Sequence, residues 1–128
     1  MPSKKSKTDL NELGYISWEE FKKMAPPIIK LEVSRISKMI NIVQSEGDTY
    51  NTLIKVRYEL NQFIDCLKQT NSPPLRDPCT AHLSKAILNL SFKDADSISK
   101  EVHYTLDRLK YVFERVGMIY QVNPRDVK

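Results

Sequence analysis

Glycine is scarce in this 128-residue chain: Gly14, Gly47 and Gly117 stand far apart. A loop that cradles phosphate needs glycines close together, so nucleotide-dependent enzymology is not expected. No Asn-Gly or Asp-Gly pair marks a hairpin, and no run alternates apolar and polar residues beyond a few positions, which argues against sheet. Apolar runs are short, as at Ile28-Ile29, Met39-Ile40 and Met118-Ile119-Tyr120. A bilayer-spanning helix needs roughly 20 such residues, so no membrane insertion is expected. Cysteine is limited to Cys66 and Cys79. Two cysteines in a chain of this size read as reduced thiols in a reducing compartment rather than as a disulfide scaffold. The amino terminus, MPSKKSKTDL, is charged with no apolar segment behind it, unlike a secretory signal, so a nuclear or cytoplasmic location is expected.

Acidic and basic residues nearly balance over most of the chain. The formal net charge is +4, and Lys4, Lys5 and Lys7 account for three of those charges, which leaves +1 for the rest. A dedicated duplex-binding domain carries a basic stripe on its body, because phosphate neutralisation supplies most non-specific affinity. The tail is a candidate nucleic-acid or localisation signal, although a solvated, disordered start is the simpler reading.

What the sequence has in abundance is helical periodicity. Ile29, Val33, Ile36, Ile40 and Val43 recur at steps of four and three, which places them on one face of a helix entered at Pro26-Pro27 and ended at Gly47, where a left-handed cap is cheap. Leu53, Val56, Leu60, Phe63, Ile64 and Leu67 repeat the pattern in a second helix, and the short connection predicts antiparallel packing. Pro73-Pro74 cannot continue that helix, whereas Asp77-Pro78 starts a new one, with Cys79, Leu83, Ala86, Ile87 and Leu90 as its apolar face. A last stripe runs through Ala95, Ile98, Val102, Leu106, Leu109, Phe113, Val116 and Tyr120, giving one long helix or two with a bend near Tyr104-Thr105. The fold expected is all-α: a single compact bundle of about five helices. Residues 1–9 form the basic tail, 10–27 an aromatic-rich arm or short helix, 28–122 the bundle and 123–128 a short carboxy-terminal tail.

Within the arm, Ser17 and Glu20 have capping-box spacing and predict a short helix over 18–25 ended by Pro26. Its apolar and aromatic residues must lie on something. Packing across the bundle is the simpler account, but aromatic side chains are enriched at interfaces, which makes Tyr15, Trp18 and Phe21 the candidate partner-binding residues.

Catalytic chemistry finds little support. Cys79-x-x-His82 has ligand-like spacing, with Cys66 and His103 as distant completing ligands, yet structural zinc sites present paired ligands at both ends and Cys79 is in register with an apolar face. A cysteine nucleophile has no marked thiolate environment. Glu19-Glu20 and Asp94-Asp96 flank helix starts, where the macrodipole favours negative charge. In Arg57-Tyr58 and Lys110-Tyr111, one member of each pair is expected to face the core, which weakens stacking on single-stranded RNA. No catalytic residue, cofactor or metal is expected.

The segment HLSKAILNLSFKDADSISKEVHYTL carries a resemblance that extends over about residues 30–122. Leu83, Ile87 and Leu90 in a leucine-rich helix, Phe92 with Asp94-Ala95 at a break, Ile98 in the next helix and an aromatic in the last resemble the domain shared by the steroid receptor RNA activator protein and the carboxy-terminal region of the outer COPII coat subunit. Phe113 stands where that family has tryptophan, the preceding proline-rich region is reduced to Pro26-Pro27, and this chain is shorter. The resemblance implies a bundle of about five helices, similar to a helical splicing-factor domain, acting as a non-enzymatic adaptor in transcriptional coregulation and RNA-containing complexes or in a vesicle coat. The expected function is a protein-interaction adaptor of the regulatory branch. The alternative is an RNA-binding protein using Lys4, Lys5 and Lys7.

Overall fold

In the computed structural model, which describes residues 15–44, 47–69, 78–91 and 98–120, the first helix begins at the expected capping box. The Ser17 hydroxyl accepts from the Glu20 N–H at 3.1 Å, and the Ser17 N–H donates to Glu20 Oε1 at 3.2 Å. Two of the first-turn amides that a helix leaves unpaired are thereby satisfied, which contributes about 1 kcal/mol.

That helix, α1 (Trp18–Ile42), does not stop at Pro26. It runs through both prolines, so the short helix expected over 18–25 and the following one are a single element, and the expected boundary at residues 27–28 falls inside it. An interior proline costs roughly 3 kcal/mol, since it removes a hydrogen bond and crowds the preceding turn. Packing offsets this. Trp18, Phe21, Ala25, Ile29, Glu32 and Ile36 are all buried and step along one face at intervals of three and four, so the face continues in register across the prolines. Pro27 points outward. Each large apolar side chain buried on that face contributes about 1.5–3 kcal/mol.

Helix α2 (Gly47–Gln69) follows after four residues. Gly47 is its first residue and not the left-handed cap of α1; the cap is Val43, whose φ of −104° any residue adopts. Helix α3 (Pro78–Ser91) starts at the expected proline, with Cys79, Leu83, Ala86 and Leu90 buried; Asp77 lies outside the described residues. Helix α4 (Ser99–Gly117) is continuous through Tyr104-Thr105. Its buried face differs from the expected stripe: Thr105 and Val112 are inside, and Phe113 is 39% exposed. Leu106 stays buried beside Thr105, so the inward face takes both rows at that level and narrows to Leu109, Val112 and Val116 towards the end of the helix.

Among the described residues there are four helices, not about five, and the all-α expectation holds. Helix α1 packs on α2 and α4, α2 on α3, and α3 on α4, closing a ring of four. Residue pairing shows the directions. Ser37 meets Arg57, Cys66 meets Cys79 while Glu59 meets His82, and Glu32 and Arg35 meet Thr105 and Tyr104, so neighbouring helices run antiparallel in an up-down-up-down bundle. Phe21, Ile36, Leu60, Phe63, Leu83 and Leu109 fill its centre with almost no exposure. At one end a short parallel contact joins β1 (Ile16–Ser17) to β2 (Ile119–Tyr120), with Ile16 opposite Ile119. The Ile16 N–H also donates to the Met118 carbonyl at 3.0 Å, tying the chain before α1 to the chain after α4. Tyr120, expected in the last helix, belongs to this strand.

Candidate functional site

The two cysteines correct the expectation of separate reduced thiols. Cys66, in the last turns of α2, and Cys79, in the first turn of α3, form a disulfide. The two residues are 13 apart in sequence and their Cα atoms are 5.3 Å apart. Spacing within one helix carries no signal for a pair formed across two, and Cys79 in an apolar register reads equally as core. His82 is engaged elsewhere: its Nδ1 lies 2.6 Å from Glu59 Oε1, one turn beyond Cys79 on α3 and two turns before Cys66 on α2. His103 is exposed on α4. The four residues considered as zinc ligands therefore do not converge, and among the described residues no cluster of three or more histidine, cysteine or carboxylate groups is placed to hold a metal.

The three candidate partner-binding aromatics separate. Trp18 and Phe21 stack with ring centroids 5.9 Å apart, and Phe21 is wholly inaccessible. Lys22 lies 5.7 Å from the Trp18 ring, with its ammonium over it. The Trp18 indole N–H is buried with no acceptor among the described residues. Trp18 and Phe21 are core, which corrects the expectation that they present an interaction surface; Tyr15 alone stays at the surface. Lys4, Lys5 and Lys7 lie outside the described residues.

The surface that does combine aromatic and charged groups lies where α1 meets α4. Its foundation is Glu32, a carboxylate only 1% exposed in an otherwise apolar row. Glu32 Oε1 accepts from the buried Thr105 hydroxyl at 2.9 Å, and Oε2 accepts from Arg35 Nε at 3.2 Å. A buried charge is tolerable when it is paired and hydrogen-bonded, and this one links the two helices. The Arg35 guanidinium lies 4.4 Å from the centre of the Tyr104 ring, stacked on its face.

Beyond that contact opens a groove of about 400 Å³ lined by Arg35, Lys38, Met39, Ile42, Lys100, Glu101 and Tyr104. Met39, Ile42 and the Tyr104 ring provide an apolar floor, and lysines from both helices stand at its rim. Along α4 the same face continues through Arg108, Tyr111 and Arg115 at steps of four, three and four from Tyr104. The Arg115 and Arg108 guanidinium groups lie 4.6 Å and 5.9 Å from the Tyr111 ring centre. Among the described residues, Lys38, Lys100, Arg108 and Arg115 have no carboxylate at ion-pair distance.

Sequence reasoning missed this face because it looked for the aromatic residue that faces inward. Tyr58 and Tyr111 are both exposed, at 58% and 39%, against the expectation that one member of each basic-aromatic pair faces the core. The available signal was the row Lys100, Tyr104, Arg108, Tyr111, Arg115 on the side of the last helix away from its apolar stripe. No family model, curated protein or solved structure matches the chain.

Proposed function

We propose that this protein is a non-catalytic helical adaptor that binds a partner protein through the face shared by α1 and α4. One observation carries the reading: of the eight large apolar side chains exposed among the described residues, Leu31, Ile42, Tyr104 and Tyr111 all lie on this face. On α1, Leu31, Arg35, Lys38 and Ile42 follow one another at steps of four, three and four, so that both helices contribute a row. Concentrated exposed apolar surface among polar groups marks interaction sites in folded proteins. Tyrosine and arginine are the side chains enriched in such contacts. The resemblance of residues 30–122 to the steroid receptor RNA activator and COPII coat domain supports an adaptor role as well, and favours a regulatory cofactor in the nucleus or cytoplasm. The Cys66–Cys79 disulfide is the feature that counts against such a compartment, where glutathione and thioredoxin keep thiols reduced.

The second reading is RNA binding by Lys4, Lys5 and Lys7, favoured by the cations of α4 that have no carboxylate at ion-pair distance among the described residues and would extend a basic track. Affinity capture of the intact protein from its own cell extract, divided into nuclease-treated and untreated halves, separates the two. Protein partners that survive nuclease support the adaptor; partners lost on treatment, with binding that steepens at low salt, support RNA.

A further inference from the structure

We infer that the α1–α4 groove takes an acidic peptide segment carrying one bulky apolar anchor. The anchor seats on Met39, Ile42 and Tyr104, and carboxylates on either side meet Lys38, Lys100, Arg108 and Arg115. This inference rests on the adaptor reading and names the chemistry of the partner.

Charge complementarity selects the occupant. From Lys100 to Arg115 the face runs about 22 Å along α4, and its cations lack carboxylate partners among the described residues. Glu101 is the one carboxylate lining the groove. Asp107 and Glu114 sit about 60–80° further round α4 by helical geometry, off the cationic row. Stacked guanidinium groups keep their N–H edges free, and those edges match carboxylates in a bidentate fork.

Two other occupants fit less well. Single-stranded RNA needs open aromatic faces for its bases, and here Arg35 occupies a face of Tyr104 and Arg115 a face of Tyr111, at 4.4 Å and 4.6 Å from the ring centres. RNA also makes no use of the Met39–Ile42 floor. A second copy of this chain, docked face to face about a two-fold axis, would set cation against cation.

The test uses fluorescence anisotropy on the full-length protein with three labelled probes: an 18-residue peptide alternating glutamate and serine with a central phenylalanine, the same peptide with serine at the centre, and a 12-nucleotide oligouridylate. Wild type is compared with the Lys38→Glu, Arg108→Glu, Arg115→Glu triple variant and with Ile42→Ser. All four positions are solvent-exposed or half-buried, and matching thermal unfolding curves verify that the variants fold. The expected result is binding of the phenylalanine peptide that weakens about ten-fold or more in the triple variant, and several-fold on losing either the anchor or Ile42. No peptide binding up to about 1 mM overturns the inference. So do equal affinities for the two peptides, oligouridylate binding that outranks both and falls in the same variant, or a wild-type dimer in sedimentation that the triple variant dissolves. If the triple variant loses nuclease-resistant partners although wild type does not bind the phenylalanine peptide, the adaptor reading stands and the groove inference alone falls; equal capture by wild type and triple variant overturns both.

Discussion

Between α2 and α3, the Cys66–Cys79 bond and the Glu59–His82 contact bracket Phe63, which is fully buried. Between α1 and α4, the corresponding fastening is the buried carboxylate of Glu32 on Thr105 and Arg35, and the flank beside it is open, apolar and cationic. The first seam has its cross-links at the margin and hydrocarbon at the centre. The second has a polar pin in an otherwise apolar contact and unpaired charge at the margin. Unpaired surface cations add little to folding, since even a good surface ion pair is worth at most about 1 kcal/mol. The contrast therefore separates a region built for stability from one whose surviving chemistry points outward.

The largest effect should come from emptying the seam. Phe63→Ala removes a ring from a close-packed site and is expected to cost about 3–5 kcal/mol, with the same range for Phe21→Ala on the α1 side, measured by urea unfolding. Small effects at both sites would mean that the interior is loosely packed, and the distinction between seam and face would lose its basis.

Reduction comes next. In the chain-entropy account, opening a loop of about 14 residues removes about 3 kcal/mol, so the urea midpoint should fall on adding reductant at unchanged pH. A protein that keeps its midpoint would show that apolar packing alone holds α2 against α3. Thiol alkylation in fresh extract then reports which form the cell holds: a protected pair matches the disulfide of the structure, and a reactive pair fits a nuclear or cytoplasmic adaptor.

Much of this architecture was legible in the sequence, and the exceptions share a cause. The capping box at Ser17 and Glu20, the start of α3 at Pro78 and the apolar faces of α2 and α3 are local patterns, and local patterns survive folding. What was not legible depends on partners distant along the chain. Helix α1 crosses Pro26-Pro27 because Trp18, Phe21 and Ala25 find a core in register with Ile29; the gap in that register is Glu32, whose burial depends on Thr105, 73 residues away. The disulfide likewise depends on how α2 and α3 align. The α1–α4 face escaped notice because half of it belongs to each helix.

The polar pin supplies a smaller, sharper test. Glu32→Ala leaves the Thr105 hydroxyl buried without its acceptor and should cost about 2 kcal/mol, while Thr105→Val should cost about 1 kcal/mol. Removing both partners at once should cost little more than Glu32→Ala alone, a coupling of about 1 kcal/mol in a double-mutant cycle. Additive losses would mean that the hydrogen bond contributes nothing beyond the packing of its two side chains.

The smallest expected change in stability carries the comparison's main claim. Arg108→Glu with Arg115→Glu reverses two charges on an exposed row whose only described partner is the Tyr111 ring. Each cation–ring contact at an exposed site is worth roughly 0.5–1 kcal/mol, and no carboxylate of α4 stands three or four residues from either position to repel the new ones. The combined loss should stay near 1 kcal/mol, well below that of Phe63→Ala, while capture of protein partners falls sharply. A residue kept for stability shows the reverse, a large loss of stability with any loss of binding tracking the unfolded fraction. If the double variant unfolds in parallel with its loss of partners, the row is structural, and the cations beside the groove have been given the wrong role.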